Sequence, residues 1–283
     1  MIRLDAASFL LQWAVGGLFF TWLTTRRREV GLGYGWLMRV VFGSFALASI
    51  VVGQAVGPVP VRDVAAGGVV LASGWALLVS VRRKAAGVAG QRERIEKRTA
   101  RVAAMTGIDR EEQRFDKAAA EFPPALDLVA PAIGLVGLVA AGIDAGSPAW
   151  LSVLRIVVGA AFLGSVSDAM LLGHWYLVQP GLARGPLLEL VRWTGWLWPF
   201  EVGVMLLPTG MVSVLNGSID DNYGGILGWM WATCAVTTIG LVVVTRAALK
   251  ERQYSAVMAA TGLLYLAILT AFGTDLVARA VLA

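Results

Sequence analysis

Three ionisable residues placed inside apolar runs have the types needed to move a proton: Asp168, His174 and Glu201. Carboxyl groups and imidazole can hold and hand on protons when a low-dielectric setting tunes them. Ionisable groups in a hydrocarbon span are costly and tend to mark function. His174, the only histidine, opens a His174-Trp175-Tyr176 triplet. A quinone headgroup needs a hydrogen-bond partner for each carbonyl, a proton route and an aromatic wall that opens to lipid. His174, Trp175 and Tyr176 supply those types. Asp168 and His174 lie six residues apart, which at about 100° per residue points them about 120° apart on a helix. They do not share a face. Glu201, in the next run, is placed about 12 Å beyond Trp193 and so in the cytoplasmic half. Asp168, His174 and Glu201 are therefore expected to converge, from two antiparallel helices, on one proton-relay cavity open to the cytoplasm. Arg155 falls outside this group, near the opposite surface. The plainer alternative has His174 bonded to a loop carbonyl at the interface, with Asp168 and Glu201 paired to arginines.

The elements that must position these residues are membrane helices. Of the 283 residues, 57% are hydrophobic and 15% charged, with mean hydropathy +0.70. A soluble domain of this size carries about a quarter charged residues. Several runs exceed the roughly 18 apolar residues that a spanning helix needs. The expected architecture is an all-α, polytopic integral membrane helix bundle. Eight spans fit the hydropathy, at 7–25, 37–57, 64–81, 125–143, 150–175, 190–215, 224–246 and 254–276. The first is read as retained rather than cleaved, because Arg26-Arg27-Arg28 follow its core instead of preceding it. Basic residues fall in alternate connections, and 11 of the 24 Lys and Arg lie between Arg82 and Lys117. The positive-inside rule then places both termini outside and the chain in the cell inner (plasma) membrane.

The chain divides into three parts: 1–81 with three spans, 82–124 as a charged cytoplasmic helical connection, and 125–283 with five spans. In the connection, Glu93 and Lys97 stand at helical i,i+4 spacing, and Asp109 suits a helix N-cap. About 43 residues are too few for an independent catalytic domain. The segment reads as a solvated hairpin or as a docking arm for a partner or anionic lipid. A faint echo aligns Arg39 with Arg155 and would lay span one on span four in inverted orientation.

Several classes are excluded. One cysteine, Cys234, and one histidine permit no intrachain disulfide and no Cys/His zinc site. No metal site is expected. Haem is disfavoured: bis-histidine ligation is impossible within one chain, and a His/Met site would need Met205 or Met230 from another span. Gly31-Leu32-Gly33-Tyr34-Gly35 follows no strand and reads as a turn, not a phosphate loop. Asn216-Gly217-Ser218 reads as a Gly-Ser turn rather than a glycan acceptor. Asp220-Asp221-Asn222 is at most a weak site for a hard cation. Glu189 and Arg192, and Asp275 and Arg279, are spaced to pair along their helices. The basic residues form no stripe with aromatics, so nucleic acid is not an expected partner.

The expected function is a membrane subunit of an electron-transfer or proton-translocating assembly, with a quinone or proton site on the cytoplasmic side. Its partners are the lipid bilayer and other membrane subunits, the latter docked through 82–124. A proton-coupled secondary transporter of a small solute is the alternative, as is a non-catalytic scaffold.

Overall fold

The computed structural model describes residues 5–87, 100, 116, 118–179, 182–208, 210–251 and 253–282. Among them all regular structure is helical. The helices are α1 (Ala6–Thr25), α2 (Leu32–Val56), α3 (Pro60–Arg82), α4 (Val129–Ala145), α5 (Ala149–Val178), α6 (Gly185–Leu206), α7 (Gly210–Leu215), α8 (Ile226–Ala248) and α9 (Tyr254–Val281). A 3₁₀ turn, Pro124–Leu128, leads into α4. Seven helices are long and apolar enough to cross a bilayer, and the chain is a multi-pass membrane protein. The eighth predicted span falls on α6. Every 18-residue stretch of α6 contains Glu189, Arg192 and Glu201, which keeps it out of the apolar seven. It nonetheless runs the full depth of the bundle antiparallel to α5. Tyr176 near the end of α5 donates to the Ala183 carbonyl at 2.6 Å, and Arg155 near its start donates to the Val204 carbonyl at 2.9 Å.

Packing follows two rings of four helices. α1, α2, α3 and α4 each touch the next, and α4 closes back on α1; α5, α6, α8 and α9 repeat the pattern. The rings meet where α5 packs on α1 and α4. α1 and α5 are the most enclosed, with 67% and 61% of their apolar windows buried. A helix enclosed on all sides has no solvent face, and Ser8, Gln12 and Thr21 of α1 are buried with its apolar side chains. At mid-depth α1 and α5 touch backbone to backbone. A Cβ added to Gly16 would overlap the Ala160 carbonyl, and one on Gly164 would overlap the Gly16 backbone. Small residues allow this approach where the solvent is lipid and apolar burial alone drives no association.

One end of the bundle gathers the basic connections. Arg28 pairs with Glu121, Arg83 donates to the Glu121 carbonyl at 3.0 Å, and Arg26 pairs with Glu189 at 2.7 Å. Arg184 donates to the carbonyls of Leu249 and Gln253. Glu189 thus pairs with Arg26 and Arg27 of the α1–α2 connection rather than with Arg192, because an arginine on a neighbouring strand of chain reaches it and Arg192 faces outward. Arg39, buried, forms a bidentate pair with Asp127 at 2.8 and 2.7 Å and lies over the Phe122 ring. The tail of the 82–124 connection is therefore pinned to the basic end. Its two predicted helices, with Glu93, Lys97 and Asp109, lie outside the described residues.

The opposite end closes with an acidic loop. The Asp221 carboxylate accepts from the backbone N–H groups of Tyr223 (3.0 Å), Gly225 (2.8 Å) and Leu227 (2.8 Å), so it caps α8. Its oxygens are spent on the backbone, and no group of metal-ligating side chains forms among the described residues. Asn216 accepts from the Ser218 N–H, with Gly217 at φ 76°, as a Gly-Ser turn requires. The backbone donors, Gly225 first, hold the Asp221 carboxyl below the ordinary carboxylate range. A depressed folded-state pKa stabilises above the unfolded value of about 3.9, and the contribution is lost as pH falls through the folded value. Protection of the Tyr223, Gly225 and Leu227 amides, relative to exchange in the unfolded chain, should therefore be high at about pH 7 and be lost as pH falls below the ordinary carboxylate range. Asp221→Asn should show low protection at both pH values; a variant as protected as the wild type at pH 7 would remove the cap role.

Candidate functional site

α5 carries most of the candidate residues, and it sends them to three different places. Asp168 points inward and is fully buried. Its Oδ1 accepts from the Tyr34 hydroxyl at 2.8 Å and the Thr21 hydroxyl at 3.3 Å, while Oδ2 has no partner among the described residues. His174 is exposed on the flank of the bundle, as the about 120° offset requires; its Nδ1 lies 3.1 Å from the hydroxyl of Tyr265 in α9. Trp175 is half-buried, packs edge-on against Tyr34 and donates to Gln179 at 3.1 Å. Tyr176 is buried and ties down the α5–α6 connection through Ala183. The triplet therefore does not form one wall: one ring is exposed beside Tyr265, one braces α2, and one fastens a loop.

Glu201 is not beside Asp168. α6 begins at Gly185, so Glu201 lies 16 residues along it, about 24 Å from the basic end. Depth measured from Trp193 omits the two turns that precede that residue. Glu201 instead joins Arg155, from which the sequence reading had separated it. The two sit within one residue of the same depth from the opposite end, five residues before Leu206 and six after Ala149. Gln12 of α1 and Asp275 and Arg279 of α9 complete the group. Arg279 Nε donates to Asp275 Oδ2 at 2.8 Å, and its Nη2 donates to Gln12 Oε1. Gln12 Nε2 donates to Asp275 Oδ1 at 3.4 Å. The predicted Asp275–Arg279 pair thus forms, and it is buried.

Two arginines and two carboxyls make a formally neutral group within the opposite half of the bundle. The charges of Asp275, Arg279 and Arg155 all act on Glu201. Yet Glu201 Oε1 and Oε2 and Arg279 Nη1, all buried, find no hydrogen-bond partner among the described residues. The position of Arg155 has a backbone cause. Pro208 has no N–H to donate to the carbonyl of Val204, four residues back. Arg155 Nε takes that place, and Nη2 donates to the Leu207 carbonyl.

Between the two carboxyls stands a hydroxyl pair. Thr194 of α6 donates to Ser165 of α5 at 3.1 Å, and both side chains are fully buried. Ser165 is one turn from Asp168 on α5, and Thr194 is two turns from Glu201 on the same stripe of α6. Ser165 also donates to the Phe162 carbonyl at 2.8 Å and Thr194 to the Leu190 carbonyl at 3.1 Å, and among the described residues no hydrogen bond links this pair to Asp168 or to Glu201.

Tyr34 is the participant that the sequence reading missed. α2 starts at Leu32, not near residue 37, so Tyr34 belongs to the helix and not to a turn. The signal was present: Tyr34, Met38, Phe42 and Ala46 recur every fourth residue and are all fully buried. Tyr34→Phe removes the shortest bond to Asp168 from a closed site. It should lower stability by about 1–3 kcal/mol, read from thermal unfolding in mild detergent, and an unchanged midpoint would mean that another donor takes its place.

No protein-family model, characterised protein or solved structure matches this chain.

Proposed function

We propose that this chain is an integral membrane subunit of a proton-translocating or electron-transfer assembly, and that its own part is to carry protons along the α5–α6 seam. The observation that supports this reading is a pair of wholly buried carboxyl groups, Asp168 and Glu201, each with oxygens left unpartnered, on facing helices with the Ser165–Thr194 hydroxyls between them. A carboxyl accepts a proton on a free oxygen and releases it from there; a hydroxyl accepts one and donates another. Buried polar groups without partners are costly; Glu201 lies within hydrogen-bond reach of Asp275, so a proton on either carboxyl is shared by the two, while Asp168 Oδ2 stays open. Arg155, Arg279, Asp275 and Gln12 keep the Glu201 end electrically balanced.

The basic end faces the cytoplasm in this reading, as the positive-inside rule directs, with both termini outside and the chain in the cell inner membrane. The quinone part of the reading shifts from the His174-Trp175-Tyr176 triplet to His174 with Tyr265, which together present an imidazole and a phenol on the lipid-facing flank. A solute transporter wants its site at mid-depth. There α1 and α5 touch backbone to backbone, which favours the proton carrier over the transporter.

The test is isolation from native membranes in mild detergent, with mass spectrometry and a visible spectrum of what accompanies the chain, followed by reconstitution into proteoliposomes holding a pH-sensitive dye. Under a potassium diffusion potential the wild type should conduct protons. Asp168→Asn and Glu201→Gln, which keep side-chain volume, should each lower the initial rate at least tenfold. Rates equal to wild type in both would overturn the proton path, and isolation of the chain alone, without redox partners, would overturn the assembly.

A further inference from the structure

We infer that the cavity at the end opposite the basic connections is a water-filled access port that delivers protons past Asp5 and Ser8 to the Glu201 group, which Gln12 positions beneath it. The inference rests on the proton-carrying reading above and names where the path opens.

The cavity has a volume of about 380 Å³ and lies between the start of α1, the α2–α3 turn and the end of α4. Asp5, Ser8 and Asp144 give it polar walls, and Ala141 forms its deepest contact on α4. A cavity of that size with several polar partners holds water. Its charge is one-sided. Arg62 is fully buried and donates to Asp63 at 2.8 Å, to the Gly57 carbonyl at 3.0 Å, to Ser8 at 3.3 Å and to Asp5. Among the described residues, Asp5, Asp63 and Asp144 outnumber the cation Arg62 around the mouth. Negative walls of low dielectric concentrate protons and other cations.

From the mouth a single stripe of α1 leads inward. Asp5, Ser8 and Gln12 stand at spacings of three and four residues, within about 60° of one another at about 100° per residue. Asp5 accepts from the Ser8 hydroxyl. Gln12 lies one turn below Ser8, about 6 Å deeper, and is fully buried. There it bonds both Asp275 and Arg279, the two groups whose charges act on Glu201. Gln12 is the one side chain on α1 that joins the stripe below the mouth to the buried charges of α9. Both ends of the Gln12 amide are engaged, Oε1 by Arg279 and Nε2 by Asp275, so Gln12 positions these groups beneath the mouth while water carries the proton.

The test begins with hydration and does not depend on flux. In a Cys234→Ser background, Ala141→Cys should react with a charged, membrane-impermeant methanethiosulfonate added from the opposite-end side of oriented vesicles, and not from the basic side. Ala66→Cys and Ala130→Cys, buried elsewhere in the same ring, should stay unreactive. An Ala141→Cys as inert as these controls overturns the port, whatever the protein conducts. The second arm plugs the cavity in folded protein: reaction of Ala141→Cys with the reagent after reconstitution should lower proton flux at least fivefold, and Ala141→Trp should do the same if it folds. Undiminished flux after full modification overturns the port while leaving the α5–α6 path intact. A hydrated cavity in a protein whose wild type moves no protons overturns both the port and the function.

Discussion

Gly16→Leu and Gly164→Leu should each abolish folded protein, and even Gly16→Ala and Gly164→Ala should fail or nearly fail. A Cβ on either residue runs into backbone of the other helix: the Ala160 carbonyl for Gly16, and the Gly16 main chain for Gly164. Ordinary overpacking against side chains costs about 1–3 kcal/mol because rotamers give way. Main chain in two fully formed helices has no such freedom, so the cost should exceed that range and must be met by separating α1 from α5. Those two helices join the rings, and every polar group of the proposed path lies on or between them and their neighbours. The comparison that isolates this effect uses Gly74 and Gly240, where an added Cβ meets nothing within 4 Å. Gly74→Ala and Gly240→Ala should be neutral or stabilising by about 0.5–1 kcal/mol, through helix propensity alone. Yield and monodispersity in mild detergent, followed by thermal unfolding, read all of these. A well-folded Gly164→Leu would mean that the rings are held together elsewhere.

The helical, membrane-embedded character of the chain was legible in its residues because the bilayer imposes a coarse requirement: long apolar runs with every backbone group satisfied internally. Seven of the eight expected spans meet the apolar criterion as they stand. α6 needed its neighbours, since Glu189, Arg192 and Glu201 dilute its hydropathy and are settled only by partners on other helices or by solvent. Helix boundaries were less legible. Hydropathy began α2 where the apolar run begins, but the helix begins at Leu32 behind Gly31, and that difference moved Tyr34 out of a turn and into contact with Asp168. Likewise the run 190–215 reads as one span by composition, while Pro208 ends α6 and α7 starts afresh at Gly210.

The grouping of the ionisable residues was the least legible part. Angular offset along one helix separated Asp168 from His174, because period alone decides that. Whether Glu201 stands with Asp168 or with Arg155 depends on where α6 starts, and the absence of a donor at Pro208 governs where Arg155 is held. Nothing local to α6 announces that Gln12 and Arg279, 267 residues apart, close the same group.

Arg155→Leu should be the most damaging single change in that group, because it leaves two carbonyls without their donor, at about 1–3 kcal/mol each where they are buried, and takes a cation away from Glu201. Three debts follow from it. The carbonyls of Val204 and Leu207 lose their donor at the helix end where Pro208 supplies none. Glu201 keeps its burial while one of the two nearby cations disappears. The opposing Arg279 is left to balance both Asp275 and Glu201, although its Nε and Nη2 are already engaged. Arg155→Lys should recover only part of the loss, since an ammonium cannot serve two carbonyls from the fixed fork of a guanidinium. Adding Glu201→Gln to Arg155→Leu removes the uncompensated acid but not the missing donors. The double variant should therefore be more stable than Arg155→Leu by at least about 1 kcal/mol, a non-additivity that contacting residues show and distant ones do not. Strictly additive losses would mean that Arg155 serves the end of α6 alone and does not balance Glu201, and the proton path would then have to draw its compensation from Arg279.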